Sequence, residues 1–256
     1  MQDEVTLNQR NWESLIALYE HVAASDEKFT RISKPFVGYL SDHYDWPNFV
    51  VIDAITSDFE ERVAELSSLI STCKNQPYVL CHPLLAQNMG VAEVFEKNNM
   101  RQFDQWINIL YDIKWGLPAD FSTPGFRTEI VANEEQKKIW ADITSTVFHH
   151  GRPVPVNSLT GDKFMLLIGY ADDVPVATMM IFFDREITTT YYGAVLKEYR
   201  GKGYGQKILR VAFEEMKKLG IELSMSQSTQ AGIKSWLQFG YQTTGYIDIF
   251  MKLGTR

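Results

Sequence analysis

The sequence has little cysteine, no long hydrophobic run and no excess of basic residues. Only Cys73 and Cys81 are cysteines among 256 residues, which excludes a small disulfide-stapled fold and predicts reduced thiols in a cytoplasmic protein. The most apolar stretch, residues 176–183, is far too short to cross a bilayer as a helix. Thirty-two acidic against 25 basic residues give a net charge of −7, which argues against nonspecific binding to nucleic acid or to an anionic membrane.

These absences leave an acidic globular protein without a predicted metal, nucleic-acid partner or membrane segment. Cys73, Cys81 and His82 are not joined by a second ligand pair at zinc spacing. The length allows one large domain or two domains of about 120–130 residues, each able to bury a core. Nothing in the composition predicts an oligomeric state.

Hydrophobic periodicity indicates alternating helices and strands in both halves of the chain. In the second half the predicted order is βαβββαβαβ, beginning with a strand near Thr128 and a helix from Glu134. The apolar residues of the predicted strands 164–170 and 176–183 are nearly continuous, which indicates a sheet covered on both faces. The predicted fold class is therefore α/β (α+β), with mixed, mostly antiparallel sheets flanked by helices.

A weak internal repeat suggests two related domains. The segment from Phe95 to Met100, followed by an apolar strand, parallels Trp236 to Tyr241 and the strand after it. The separation of about 140 residues is of domain size. We therefore predict a first domain at 1–115, a breaker-rich linker at 116–125 and a second domain at 126–256.

A glycine-rich run at residues 200–205, Arg-Gly-Lys-Gly-Tyr-Gly, carries the strongest functional signal. It stands where a predicted strand turns into a helix, and glycine allows both positive φ and close approach of a ligand to the backbone. Amides at such a helix start favour a phosphate or pyrophosphate. Four basic residues surround the turn in an otherwise acidic chain: Arg200, Lys202, Lys207 and Arg210.

Two nucleotide-binding motifs fit this turn poorly. A P-loop needs Gly-Lys-Ser/Thr at the helix start, and Gly205-Gln206-Lys207 does not supply it. A dinucleotide fold needs a third glycine where Ile208 stands, although Glu222 lies at about the distance expected for a ribose contact. A nucleotide-dependent enzyme therefore remains a weaker interpretation.

The turn resembles the acyl-CoA signature of the GNAT (Gcn5-related N-acetyltransferase) family, Q/R-x-x-G-x-G/A at the end of a strand. Arg200, Gly203 and Gly205 satisfy it, and a second family pattern is met in part farther downstream, for example by Trp236 and Gly240. The resemblance covers about residues 126–253. The first half is similar to the end of the same fold without the glycine turn, as in a degenerate copy that does not bind CoA.

The resemblance implies acetyl-CoA as co-substrate and an amine of a small molecule or peptide as acceptor. Backbone groups of Ala194 and Val195 would pair with the pantetheine arm. The pyrophosphate would be held by the amides of residues 201–206, with charge added by Arg200 and Lys202. The implied cofactor-binding residues are Ala194, Val195, Arg200, Gly201, Lys202, Gly203, Tyr204, Gly205 and Gln206.

The sequence departs from the family where the catalytic acid is expected. Trp236 occupies the position of the usual tyrosine, and an indole does not readily give up its proton. Tyr241 is expected to pack in the core, and no acid or base is assigned. Other possible proton donors are Tyr191, Tyr192, Tyr246 and Ser228. The sequence thus predicts an N-acetyltransferase, with a catalytically silent acyl-CoA-binding or sensing protein as the alternative.

Overall fold

A computed structural model describes residues 4–86, 89–120, 122–184 and 187–252. The α-helices are α1 (Glu4–Ala24), α2 (Phe59–Ile70), α3 (Pro83–Ala86), α4 (Met89–Lys97), α5 (Glu134–Phe148), α6 (Tyr204–Lys218) and α7 (Ile233–Gln238). The strands are β1 (Thr30–Ile32), β2 (Val37–Leu40), β3 (Phe49–Ile52), β4 (Tyr78–Cys81), β5 (Met100–Asp112), β6 (Phe126–Ile130), β7 (Phe164–Ala171), β8 (Val174–Asp184), β9 (Ile187–Val195), β10 (Leu223–Ser228) and β11 (Gln242–Lys252). None of the described helices is long and apolar enough to cross a membrane.

The chain divides into two compact units that do not follow the order of the sequence. The first unit contains residues 1–108, 227–233 and 243–256, and the second contains residues 109–226 and 234–242. Each unit therefore includes chain from both sequence halves. The predicted division at 1–115, 116–125 and 126–256 describes two related stretches of sequence, and as such it stays a prediction.

The first unit has strand order β1-β2-β3-β4-β11-β5. Pairing is antiparallel from β1 to β3, parallel between β3 and β4, and antiparallel between β4 and β11. Helix α2 buries its apolar stripe, including Val63 and Leu66, in the core that the sheet forms with α4. Phe250 of β11 stacks on Phe95 of α4 with ring centroids 4.2 Å apart, so the last strand is part of this core.

The second unit has strand order β5-β10-β9-β8-β7-β6, and helices α5 and α6 pack on its strands. Strands β6 to β9 are antiparallel neighbours, whereas β9 and β10 are parallel and are joined by α6. The buried stripe of α6 consists of Ile208, Leu209, Ala212, Phe213 and Met216, as its helical spacing predicts.

The predicted element order of the second half and the mixed α/β fold class are confirmed. The order β6-α5-β7-β8-β9-α6-β10-α7-β11 is the predicted βαβββαβαβ. Asp172 and Asp173, both at positive φ, form the hairpin between β7 and β8, the two strands that the sequence predicts at 164–170 and 176–183. Strands β1 and β2 were not predicted, because they are short and lie in a stretch whose prolines and glycine indicate a loop.

The internal repeat has a structural counterpart in how two helices end. In both halves a parallel β–α–β crossover is followed by further helix and then a long strand; the helices are α3 and α4 in the first half and α7 in the second. Asn99 and Gly240, which are equivalent in the repeat, both have positive φ, at 57° and 95°. A left-handed residue after a helix is a common way to turn the chain into the next element. The final strand of each sequence half lies beside a strand of the other half: β11 pairs with β4, and β5 lies beside β10.

Candidate functional site

Strand β9 separates from β10 partway along its length. The parallel register joins Ile187, Thr188 and Thr189 to residues 223–225 of β10. At the next step the Ser226 hydroxyl donates to the carbonyl of Thr190 at 2.6 Å. Beyond this point β9 continues to Val195. Its backbone there can accept a further extended chain, as the edge of a sheet does.

A β-bulge lies in the same part of β9. Opposite β8, Ala194 pairs with Thr178 and Tyr191 pairs with Met180, so Tyr192 and Gly193 together oppose one residue. Tyr192 has a φ of +52°, which is uncommon for an aromatic residue. The buried Thr178 hydroxyl donates to the Tyr192 carbonyl at 3.1 Å and holds this conformation. Bulges of this kind re-aim side chains next to functional sites.

The glycine turn ends in a helix start whose first amides have no partner within the helix. Gly201 and Gly203 have φ values of +78° and +82°, which an L side chain rarely adopts. Gly203 caps α6, and the amide of Lys207 donates to its carbonyl at 3.0 Å. The amides of residues 203–206 precede that bond and have no partner within the helix. This is the geometry that binds an anion at a helix N-terminus.

The residues expected to pair with a pantetheine arm lie at the end of β9, directly before the turn. Ala194 is buried and Val195 is half-buried. The Val195 carbonyl accepts a hydrogen bond of 2.9 Å from Nε of Arg200, so the Arg200 side chain links the glycine turn to the end of β9. A Cβ at Gly205 would lie 3.6 Å from the Val195 side chain, so the first turn of α6 packs close to the strand.

Two of the four basic residues around the turn are neutralised by acids. Nζ of Lys207 lies 2.5 Å from Oδ1 of Asp120, and Nε of Arg210 lies 3.0 Å from Oε1 of Glu214. Nε of Arg210 is also 4.0 Å from Asp120. Of the four, Arg200 and Lys202 are the two that the resemblance assigns to the pyrophosphate, and that assignment stays a prediction. The Lys202 ammonium lies 5.2 Å from the centroid of the Tyr199 ring.

The predicted linker packs beside the turn. A Cβ at Gly203 would lie 3.5 Å from the Thr123 methyl group, and the Phe126 ring stacks on Tyr204 with centroids 4.5 Å apart. The carbonyl of Pro118 also accepts a hydrogen bond from Arg210. The Tyr204 side chain thus packs against a neighbouring segment of the same chain. Its backbone amide, at the start of α6, is the group of this residue that can face an anion.

The equivalent turn of the first half has the opposite electrostatic character. Between β3 and α2 the chain contains Asp53 and Asp58 and no glycine, and α2 begins with Glu60 and Glu61. Negative charge at a helix start satisfies the helix dipole and repels a phosphate. This acidic turn accords with a first half that does not bind CoA.

Tyr241 is a buried packing residue, as the sequence suggests. Its hydroxyl lies 3.1 Å from that of Thr190 and 3.0 Å from that of Ser224. Burial raises the pKa of Tyr241 well above its usual range, so it is a poor proton donor. Trp236 packs edge-on to the Tyr241 ring with centroids 4.9 Å apart.

Trp236 lies over the bulge, where the resemblance places a catalytic acid. A Cβ at Gly193 would lie 3.7 Å from its indole ring. Of the other predicted donors, Tyr191 and Tyr192 lie at the bulge, whereas Tyr246 and Ser228 belong to the first unit. The Ser228 hydroxyl donates to the carbonyl of Thr229 at 3.0 Å.

An imidazole–phenol pair lies beside the bulge. Nε2 of His149 is 3.0 Å from the Tyr192 hydroxyl, and His149 ends α5, where its amide donates to Ser145 at 2.9 Å. The sequence analysis names Tyr192 as a possible donor but does not connect it with His149, because the two residues are 43 positions apart. The available signal was Gly193, since glycine inside a strand pattern suggests a bulge.

A metal centre is not part of this site as described. Within residues 4–86, 89–120, 122–184 and 187–252, no group of three or more His, Cys, Asp or Glu side chains could hold an ion. The prediction that the protein works without a metal stays a prediction.

Comparisons with known proteins agree with this geometry. A parallel crossover whose helix begins at a glycine turn is typical of α/β proteins that bind phosphorylated ligands. Residues 131–241 match the model of the family described as "Acetyltransferase (GNAT) family". This segment is therefore a GNAT domain, as the signature in the turn predicts. No curated protein matches the chain.

Solved structures share the fold over most of the chain. A GCN5-related N-acetyltransferase from Kribbella flavida is 16% identical with a TM-score of 0.69, and the match covers 95% of both chains. A functionally unknown conserved protein from Staphylococcus epidermidis ATCC 12228 is 12% identical with a TM-score of 0.65, over 88% of this chain and 94% of that one. A tandem GNAT protein from the clavulanic acid biosynthesis pathway is 11% identical with a TM-score of 0.56, over 84% and 77%.

Proposed function

We propose that this protein transfers acetyl from acetyl-CoA to an amine of a small molecule or peptide in the cytoplasm. The observation that carries the proposal is the end of β9, which continues past its register with β10 and leads directly into the left-handed glycines before α6. An extended arm and a pyrophosphate need those two features, one after the other. The GNAT domain at residues 131–241 supports the same assignment.

The residues at the site fit such a ligand. Ala194 and Val195 would pair with the pantetheine arm as an added strand does. The amides of residues 201–206 would hold the pyrophosphate, and the acid that reaches this turn, Asp120, is paired with Lys207. Arg200 would exchange the Val195 carbonyl for the ligand, and Lys202 would add a second positive charge.

The chemistry requires a neutral amine as nucleophile. A free alkyl amine has a pKa near 10, so a base or a water path must remove a proton near neutral pH. Acetyl-CoA supplies a thioester whose thiolate leaves readily, so a strong acid is not required. The indole of Trp236 at the expected acid position is therefore compatible with turnover.

A catalytically silent acyl-CoA sensor is the second candidate. Trp236 supports it, because an indole donates a hydrogen bond without releasing its proton. Both candidates need the glycine turn. They differ in whether the thioester is consumed.

Binding can be tested with two left-handed glycines, one at each end of α6. Gly203→Asp should weaken acetyl-CoA binding at least tenfold in calorimetry, because a carboxylate would stand among the amides that hold the phosphates. Gly220→Asp is the matched control: Gly220 follows the other end of the same helix at a φ of +75°. It introduces the same strain and charge and should leave affinity unchanged. Equal effects of both variants, or none, would mean that the ligand lies elsewhere.

Turnover separates the enzyme from the sensor. Acetyl-CoA is mixed with amino acids, polyamines, aminoglycosides and peptides, and the loss of thioester absorbance is followed. A reagent that detects released thiol is avoided, because it would also react with Cys73. We expect at least one amine to be acetylated, with the product confirmed by mass spectrometry. Tight binding with no consumption across the panel would support the sensor.

A further inference from the structure

We propose that Trp236 and Met179 are specificity-determining residues that restrict the acyl group of the donor to acetyl. The inference rests on the proposed acetyl transfer and adds the side chains that select acetyl over longer acyl groups. Its starting observation is that both side chains converge on Gly193. A Cβ built there would lie 3.1 Å from Cε of Met179 and 3.7 Å from Cη2 of Trp236.

Gly193 lies where the acyl end of the proposed donor would be. With the pyrophosphate at residues 201–206 and the pantetheine arm beside Val195 and Ala194, the arm runs from the glycine turn back along β9. Pantetheine contains two amide groups, which can pair with two residues of an extended strand. The thioester follows the second amide. It would therefore lie beside the next residue towards the start of β9, which is Gly193.

The contacts around Gly193 restrict the space for an acyl chain. The Ser226 hydroxyl donates to the carbonyl of Thr190 at 2.6 Å, so β9 and β10 are in contact at that pair. An acyl chain that continued along the strands would meet this bond. Across the bulge, Gly193 lies against Met179 of β8, which is 2% exposed. An acyl chain that turned over Gly193 would meet Met179 and Trp236.

Trp236 is held in place by aromatic neighbours. Its ring packs edge-on to Tyr241 and to Phe239, with centroids 4.9 Å and 6.1 Å apart. The buried Tyr241 hydroxyl lies 3.1 Å from that of Thr190 and 3.0 Å from that of Ser224, so the ring that supports Trp236 is itself fixed. A packed indole yields less than a flexible thioether side chain. Trp236 is therefore the firmer of the two restraints and the residue to test.

Binding of acyl-CoA thioesters of different length tests this selection without requiring turnover. The wild type should bind acetyl-CoA at least about tenfold more tightly than butyryl-CoA in calorimetry, because two further methylenes would collide with the two side chains. Trp236→Phe should reduce this ratio at least about threefold. Cη2 lies at the far end of the indole, so phenylalanine removes the part nearest Gly193 and keeps an aromatic ring beside Tyr241. Trp236→Ala should reduce the ratio further.

Leu237→Ala is the matched control. Leu237 is the next residue of α7 and is 47% exposed, so its truncation should leave the ratio unchanged. Circular dichroism establishes that each variant is folded, and Trp236→Phe decides the question if Trp236→Ala is not. Equal affinity of the wild type for both thioesters would overturn the proposal, as would a ratio that Trp236→Phe changes no more than Leu237→Ala does. Failure of the wild type to bind acetyl-CoA at all would instead contradict the proposed function.

Discussion

Asp120 sets the net charge available at the glycine turn. Its carboxylate pairs with Lys207 at 2.5 Å and lies 4.0 Å from Arg210. Sequence reasoning recognised the turn because its glycines are adjacent along the chain. It could not pair Lys207 with an acid, because Asp120 and Lys207 are 87 positions apart and a pair at that distance is made only by the fold.

Removal of this carboxylate should strengthen binding of an anionic ligand. Asp120→Ala leaves Lys207 without its acid, so we expect acetyl-CoA affinity to rise about two- to fivefold at low salt. The gain should fade at high salt because the added charge is near the surface. Calorimetry at two ionic strengths measures both effects.

Glu215→Ala is a control with the same change in net charge. Glu215 pairs with Lys218 at 2.6 Å near the far end of α6. Its removal should leave acetyl-CoA affinity unchanged. An equal gain in both variants would show that overall charge, and not the local pair, sets affinity.

Most of the regular elements follow from local sequence, but the distortion of β9 does not. Helix α6 was predictable from its apolar spacing and its glycine stop, and β8 from its continuous apolar run. The bulge requires Thr178 on the neighbouring strand to hold the Tyr192 carbonyl. Periodicity reports which face of a strand is buried, and it carries no information on where two strands lose register.

Loss of the Thr178 hydroxyl should destabilise the bulge. Thr178→Val leaves the Tyr192 carbonyl without this donor inside a buried site, so the free energy of unfolding should fall by about 1–3 kcal/mol. Turnover should fall as well, because the bulge shapes the end of β9, where Ala194 is proposed to pair with the pantetheine arm. Urea denaturation and steady-state kinetics measure the two effects.

Thr128→Val offers a control in strand β6 of the same unit. The Thr128 hydroxyl is buried and, among the residues that the structure describes, has no hydrogen-bond partner. Its replacement should be neutral or slightly stabilising. Similar losses at both positions would show that the hydroxyl at Thr178 contributes nothing specific.

At the scale of the whole molecule, sequence halves and compact units differ because the final strands are exchanged. The repeat predicted two related halves, and the parallel crossovers of both halves support it. Which strand completes which sheet depends on pairing between segments far apart in the chain. In the first unit, β11 places Asp248 opposite Cys81.

That pairing predicts a loss of stability at alkaline pH. Burial, with a smaller contribution from the Asp248 carboxylate, raises the pKa of the Cys81 thiol from 9.0 to about 12. As the pH rises, the unfolded chain therefore releases this proton before the folded protein does. The contribution of the protonated thiol to the free energy of unfolding is complete below about pH 9 and is lost as the pH rises towards 12. Between pH 9 and 12, Cys81→Ala should make the fall of the free energy of unfolding with pH less steep, by up to about 1.4 kcal/mol per pH unit.

Urea unfolding across the alkaline range measures this slope. Below about pH 8 the wild type and Cys81→Ala should have parallel pH dependences, whatever the fixed cost of the lost sulfur. Identical slopes above pH 9 would contradict the assignment of the titrating group to Cys81.

The place of β11 in the first unit also has a consequence for synthesis of the chain. Residues 4–86 contain four of the strands and most of the core of that unit, yet β4 gains its antiparallel neighbour only from residues 242–252. A ribosome must therefore translate the whole second half before the first unit can close. The nascent first unit would meanwhile present the edge of β4 as an open template, to which chaperones that shield unpaired strands can bind.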